Sequence, residues 1–253
     1  MPIPGSDPVF ARLSAEGAAA ILAGTHRRDV PPVDGGRWPV TVLARPPHEV
    51  RDRLEALMHE AMRHAGPGHF RTGRADSVHV TIRALEPFRA AADVGDPIVE
   101  QWVGALQRTA EVTGPFSLTM TGISLTASGV LARLEPDDDR PWRLMDRLRD
   151  ELGDLAWFEE QGMRRNIWYS SLLHFTDDVV DPQGLVAWAQ ARRALPPLAF
   201  EVTALELVRF RHSRLGESAC SAVPGEQGHY MRPESWLQLP LGGPQHGQSG
   251  WTA

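Results

Sequence analysis

"SVHVTIRAL", residues 77–85, is the stretch from which fold and function are both read. Its Val, Thr and Ile make it a strand, expected over about 76–85. Alternate side chains of a strand share a face, so His79 and Thr81 stand side by side and Arg83 continues their row. An imidazole beside a hydroxyl in such a strand either satisfies a core or faces a pocket.

The pattern occurs twice. "SLLHFTDD", residues 171–178, repeats H-x-T at His174 and Thr176, the two histidines standing 95 positions apart. Ser and Thr are 25 of 253 residues, so ten histidines yield about one such tripeptide by chance, and the tripeptide alone is weak evidence. Position strengthens it. "VLAR" at 42–45 is followed by a helix and then the His79 strand, and "VLAR" at 130–133 is followed by a helix and then the His174 strand. Both histidines are expected late in an apolar strand, in equivalent places of an internal duplication. The fold class is α+β, with two similar strand–helix–strand lobes.

The remaining elements fit that frame. "RWPVTVLARP" (37–46) reads as a strand. Val50, Leu54, Leu57, Met58, Ala61 and Met62 recur at helical spacing, and Gly66 and Pro67 end that helix. A second helix is expected from Pro97 to Val112, and "FSLTMTGISL" and "SGVLARLEP" are two strands joined by a turn. Trp142, Met145, Leu148 and Leu152 line a helix ending near Gly153. "NIWYSSLLHFT" (166–176) is a strand on which Ser170 and Leu172 share the His174 face. Asp181 caps, and Pro182 opens, a helix to about Ala194. "LAFEVTALELVRFR" and "SWLQLPL" close the chain as strands. Residues 1–36, rich in Pro, Gly and Ala, read as an extension packed on the 37–241 body, with Ser14 capping a short helix through about Ala23. Residues 242–253 form a polar tail.

Composition removes several functions. The net charge of −6 argues against bulk nucleic-acid binding but leaves room for a local basic pocket. The single cysteine, Cys220, allows no intrachain disulfide. No apolar run reaches membrane-spanning length and the N-terminus lacks a secretion pattern, so a cytoplasmic location away from membranes is expected. All 26 basic residues are arginines, which excludes a lysine Schiff base and a P-loop and leaves any cationic grip on phosphate to arginine.

Two imidazoles on opposite sides of a substrate can act as base and acid on one phosphate. A hydroxyl beside each can donate to a non-bridging oxygen, and no metal or cofactor is then required. A lone strand histidine is ordinarily a satisfied core residue; the matched pair turns the balance toward function.

On "HVTI", "HFTD" and the duplicated pattern, the sequence resembles the two-histidine (2H) phosphoesterases, which include bacterial RNA 2',3'-cyclic phosphodiesterases, also called 2'-5' RNA ligase-like proteins. The resemblance covers about residues 37–241. It implies two pseudo-symmetric lobes, each an antiparallel sheet with outer helices, flanking a central cleft. It implies that His79 and His174 are the catalytic pair and that Thr81 and Thr176 hold the phosphate. By analogy, His174 is the base that activates water and His79 the acid at the leaving 2' oxygen. The expected substrate is an RNA end or a small nucleotide, handled by a monomer without metal or cofactor. Hydrolysis of a 2'-5' or 3'-5' linkage, a binding module for RNA or a nucleotide that uses the same cleft with weak or no turnover, and a structural protein with both histidines in the core remain alternatives.

Arg83 either contacts substrate phosphate or is a strand-end surface charge. Tyr230, read in a loop before the last strand, either stacks on a base or is a plain exposed tyrosine. Arg164 and Arg165 read as surface residues. "HEAMRH" (59–64) is no zinc motif, because its histidines are five apart rather than four.

Overall fold

The computed structural model describes residues 7–161, 165–215 and 227–242. Arg164, Cys220 and the tail from 243 lie outside the described residues.

Among the described residues, eight strands form two four-stranded antiparallel sheets. Strands β1 (Val40–Ala44), β2 (Val80–Glu86), β7 (Ala204–Arg214) and β8 (His229–Pro240) make the first, in the order β2-β1-β7-β8. Strands β3 (Phe116–Thr126), β4 (Gly129–Pro136), β5 (Trp168–His174) and β6 (Leu198–Val202) make the second, in the order β5-β4-β3-β6. The halves correspond: each places its histidine strand at an edge, beside its "VLAR" strand. Each half also gives a strand away. β3 follows the first half in sequence but pairs with β4, and β7 follows the second half but pairs with β1. The run "LAFEVTALELVRFR" is therefore two strands. It breaks at Thr203, with β6 in one sheet and β7 in the other.

The helices sit where apolar periodicity put them. α2 (His48–Ala65) buries Val50, Leu54, Leu57, Met58 and Ala61, and Gly66, at φ 100°, closes it with its N–H on the Met62 carbonyl. α3 (Pro97–Glu111) and α4 (Arg140–Leu152) follow, then a 3-10 turn (Gly153–Ala156) and the short α5 (Trp157–Glu160). α6 (Pro182–Ala191) starts as read, the Asp181 carboxylate accepting from Gly184 N–H at 2.9 Å. α1 does not. It runs Asp7–Leu22, so Ser14 lies inside it; the acidic Asp7 followed by Pro8 marks its start.

One apolar core runs through both lobes. α1 belongs to the body: Phe10 and Ile21 are buried, and Gly17 lies against the backbone of Thr126 at the end of β3. A smaller cluster of Trp38, Leu43, Phe70, Val208, Phe210 and Met231 lies apart from the main core.

The lobes meet at their edges. Ser170 of β5 donates its hydroxyl proton to the His79 carbonyl at 2.9 Å. The segment 69–73 joins them more firmly. Phe70 exchanges both backbone hydrogen bonds with His174, at 3.0 and 3.1 Å, and Gly73 donates to Leu172. On its other side, Arg71 donates to His229 and His229 to His69.

A Cβ on Gly17 would sit 2.7 Å from the Thr126 carbonyl carbon. Gly17→Ala gains about 1 kcal/mol of helix propensity, but the clash is with backbone and cannot be relieved by a rotamer. Gly17→Val is therefore expected to destabilise by roughly 1–3 kcal/mol. Thermal melts and limited proteolysis of the α1 end check this; an unchanged melting temperature would refute the docking of α1 on β3.

Candidate active site

The two histidines occupy opposite ends of their strands. His79 immediately precedes β2, whereas His174 is the last residue of β5. The expectation that both lie late in a strand fails for His79, because residues 72–77 are turn and the strand begins at Val80.

Each strand is also broken by a bulge beside its histidine. Leu43 pairs with Thr81 but Val42 with Arg83, so one residue is inserted at Ile82. Val130 pairs with Leu173 but Leu131 with Ser171, so one is inserted at Leu172. A bulge resets the alternation of faces. Arg83 therefore does not continue the His79–Thr81 row, and Ser170 and Leu172 do not form one row with His174.

Even so, the two rings come to the same place. His174 packs edge-on against Trp38 at 5.2 Å between centroids, Trp38 against Phe210 at 5.8 Å, and Phe210 against His79 at 5.3 Å. Trp38 holds φ at 76°, the one positive value among the described non-glycine residues. Such a backbone is kept only where packing enforces it.

The rings are held alike. His79 Nδ1–H donates to the Ser77 carbonyl at 2.8 Å. His174 Nδ1 lies 3.2 Å from Asp29 Oδ2, with the N–H turned off the straight line to that oxygen. In both, Nε2 has no partner among the described residues. A neutral imidazole with its proton on Nδ1 offers the Nε2 lone pair as a base, and once protonated it offers an acid at the same atom.

Burial lowers both pKa values to about 4. For His79, desolvation dominates, the Ser77 carbonyl opposes it, and the cations of Arg45 and Arg165 add to it. For His174, desolvation comes first and Arg37 second; Asp29 opposes them, and His79 lowers it further.

The other expected residues separate. Thr81 is half-buried and its hydroxyl has no partner among the described residues. Thr176 is already engaged: its hydroxyl donates to the Gly68 carbonyl at 2.5 Å and its N–H to His69 Nδ1 at 3.2 Å. It anchors the end of β5 and has no free proton for a phosphate. Arg83 is buried, donating to Glu160 and the Ala156 carbonyl at 2.9 Å each, with Glu159 at 4.0 Å. Its charge is matched inside the protein, which suits neither a phosphate grip nor a surface charge. Tyr230 is the second residue of β8 rather than part of a loop. It is buried, donates to Asp76 Oδ2 at 2.7 Å and lies under the Arg74 guanidinium. Burial pushes its phenol up.

Reading the sequence missed Asp29, Trp38, Arg45 and Phe210. Arg45 alone had a signal, as the last letter of the first "VLAR". It is held by Glu206 at 3.1 Å and by the Asp76 carbonyl at 2.9 Å. Arg165, read as a surface residue, is largely buried and pairs with Glu159 at 3.3 Å.

In "HEAMRH", His59 is exposed and His64 is bonded to Asp181 at 2.9 Å. Among the described residues, no group of three His, Cys, Asp or Glu side chains has a metal-binding arrangement, and no helix is long and apolar enough to cross a membrane.

Known structures share this fold. TT0787 of Thermus thermophilus superposes with a TM-score of 0.55 at 18% identity, over 82% of this chain and 99% of that one. E. coli LigT, solved with 3'-AMP, superposes with a TM-score of 0.50 at 17% identity, over 81% and 98%. The sequence model of the family described as LigT-like phosphoesterase matches residues 45–132. The fold is that of the 2H phosphoesterases. The matched segment includes Arg45, His79 and Thr81 and ends before His174, so the family likeness is carried in sequence by the first half of the 2H fold. No curated protein matches the chain.

An unfolded histidine titrates near 6.5 and His174 near 4, so the unfolded chain binds more protons between those values. Stability from the neutral ring is complete above pH 6.5 and is lost as pH falls through 4, for His174 on the order of 3 kcal/mol at full extent. Urea unfolding at pH 7.5 and 4.5 is expected to show lower stability in acid and a smaller difference in His174→Phe. Equal differences in the two proteins would place His174 in contact with water.

Proposed function

We propose that the protein is a phosphodiesterase that opens a 2',3'-cyclic phosphate on RNA or a nucleotide by acid–base catalysis between His79 and His174. The observation that carries this reading is the matched presentation of the two rings: Nδ1 held against an acceptor, Nε2 unclaimed, both packed on the Trp38–Phe210 pair.

In the reaction, His174 Nε2 takes a proton from water as the water oxygen attacks phosphorus. The bond from phosphorus to the 2' oxygen breaks, and protonated His79 delivers its proton to that oxygen. A 3'-phosphate and a 2'-hydroxyl result, and solvent returns the two histidines to their starting states. Thr81 donates to a non-bridging oxygen, and Arg45 and Arg165 offset the developing charge. The 3'-AMP found with E. coli LigT is the kind of product that cleavage at the 2' oxygen leaves.

Both rings are neutral in the free protein at pH 7, so the acid acquires its proton as the anionic substrate arrives. A second reading, nucleotide binding with weak turnover, is favoured by one observation: Arg83 is committed to Glu159 and Glu160 and lends the site no free cation.

Turnover of the four 2',3'-cyclic mononucleotides in EDTA tests both. His79→Ala and His174→Ala are each expected to lose roughly 10²–10⁴-fold in kcat/KM. Thr81→Ala should lose less, and Thr176→Val should keep its turnover while melting lower. The kcat profile should extend to higher pH than that of kcat/KM, because bound phosphate stabilises the imidazolium. A 2'-phosphate product would mean that the 3' oxygen leaves. Binding without turnover would favour the second reading.

A further inference from the structure

Asp29 lies outside both H-x-T strands, in the connection between α1 and β1. Its N–H donates at 2.6 Å to the carbonyl of Phe175, the residue next to His174. Its carboxylate pairs with Arg37, lies 3.6 Å from Arg27 and is only 7% exposed. A carboxylate buried to that degree is retained only with specific partners. One of its oxygens is 3.2 Å from His174 Nδ1.

We propose that Asp29 is a positioning residue that holds the His174 ring with Nδ1–H toward its carboxylate and Nε2 toward the substrate. This rests on the reading of His174 as the general base. A neutral imidazole has two tautomers, and only one leaves Nε2 with a lone pair. An acceptor at Nδ1 selects that tautomer, as the Ser77 carbonyl does for His79. The contact is bent in the unliganded protein. It straightens as the ring takes the proton from water and becomes cationic, when a charge-assisted hydrogen bond is worth most.

The charged groups that act on His174 are Asp29, Arg37 and His79. The neighbouring Trp38, Phe70 and Gly129 contribute a ring face and backbone only, and Arg27 reaches Asp29 alone. Arg37 offsets the carboxylate, so Asp29 orients the ring without making it strongly basic.

The test uses the full-length protein and the variants Asp29→Asn and Arg37→Gln. The Arg37 side chain is 39% exposed, so the second variant is expected to fold even where the first does not. Long-range proton–nitrogen NMR reads the tautomer of His174, and its ring proton reads the titration. Turnover of cyclic mononucleotides against pH is measured on the same samples.

The wild type is expected to carry its proton on Nδ1. Asp29→Asn should mix the tautomers, move the titration to lower pH by about one unit and reduce kcat more than tenfold with little change in KM. Arg37→Gln should move the titration the other way, since the carboxylate is then unopposed. A general loosening of the fold would not give opposite shifts. A wild-type proton on Nε2, or an unchanged tautomer and titration in both variants, overturns the proposal. If tautomer and titration respond as expected while the wild type turns over no cyclic phosphate, the positioning by Asp29 stands and the hydrolytic reading fails.

Discussion

The site depends on one piece of backbone, the segment 69–73. It pairs with the end of β5 on one side and the start of β8 on the other, and so joins by backbone hydrogen bonds the edges of two sheets that also share the apolar core and the contact of Ser170 with His79. Paired edges remove the open hydrogen-bonding rows that sheet proteins must otherwise protect. The same segment fixes the backbone of His174 through Phe70, whose ring packs on Trp38. There is no slack in it. A Cβ on Gly73 would lie 2.8 Å from Met58 Cβ and 3.2 Å from the Leu172 backbone, so only glycine passes there. The position of His174 relative to His79 is thus set by main-chain geometry, which side-chain motion cannot loosen.

Electrostatics add a constraint of their own. Both imidazoles are pushed down to about 4, chiefly by burial, and cations oppose their protonation: Arg45 and Arg165 at His79, Arg37 at His174. An incoming phosphate would supply the negative charge that lets one ring hold a proton. On the proposed reading of His174 as base and His79 as acid, the base is ready at rest and the acid forms only when the site is loaded, which couples proton uptake to substrate binding.

The sequence was most legible where one element decides its own form. The buried face of α2, the Asp181 cap and the end of α2 at Gly66 follow from local spacing and capping chemistry. The α+β class and the duplicated order followed as well. Misreadings came where tertiary contacts override local pattern. Alternation assigned Arg83 to the His79 face and Ser170 to the His174 face, and the bulges at Ile82 and Leu172 undid both. The 198–211 run had no turn residue at Thr203 to announce that its halves belong to different sheets. Tyr230 looked like a loop residue because "GHYMRP" carries Gly and Pro, yet pairing with β7 extends the strand through it. Asp29 had no signal at all, since nothing in "HRRDV" says that it meets a histidine in the other half.

The two sheets place their histidine and "VLAR" strands alike, and the duplication is incomplete in the site. His79 is oriented by a carbonyl two residues away, a contact that its own turn supplies. His174 is oriented by a carboxylate 145 positions earlier, brought in by the chain that precedes β1. Thr81 keeps its hydroxyl free, while its counterpart Thr176 ties β5 to Gly68. The first half holds the Nδ1 of its histidine with its own turn, and it is also where the family likeness in sequence is found. The second half reaches a similar presentation, an Nδ1 beside an acceptor and an open Nε2, with parts from elsewhere. A local device can drift in the rest of the chain without losing its geometry, whereas one assembled from distant segments holds only while α1, the connection to β1 and the end of β5 stay packed together. The segment that reads from sequence as an appendage is thus a structural requirement of the second histidine.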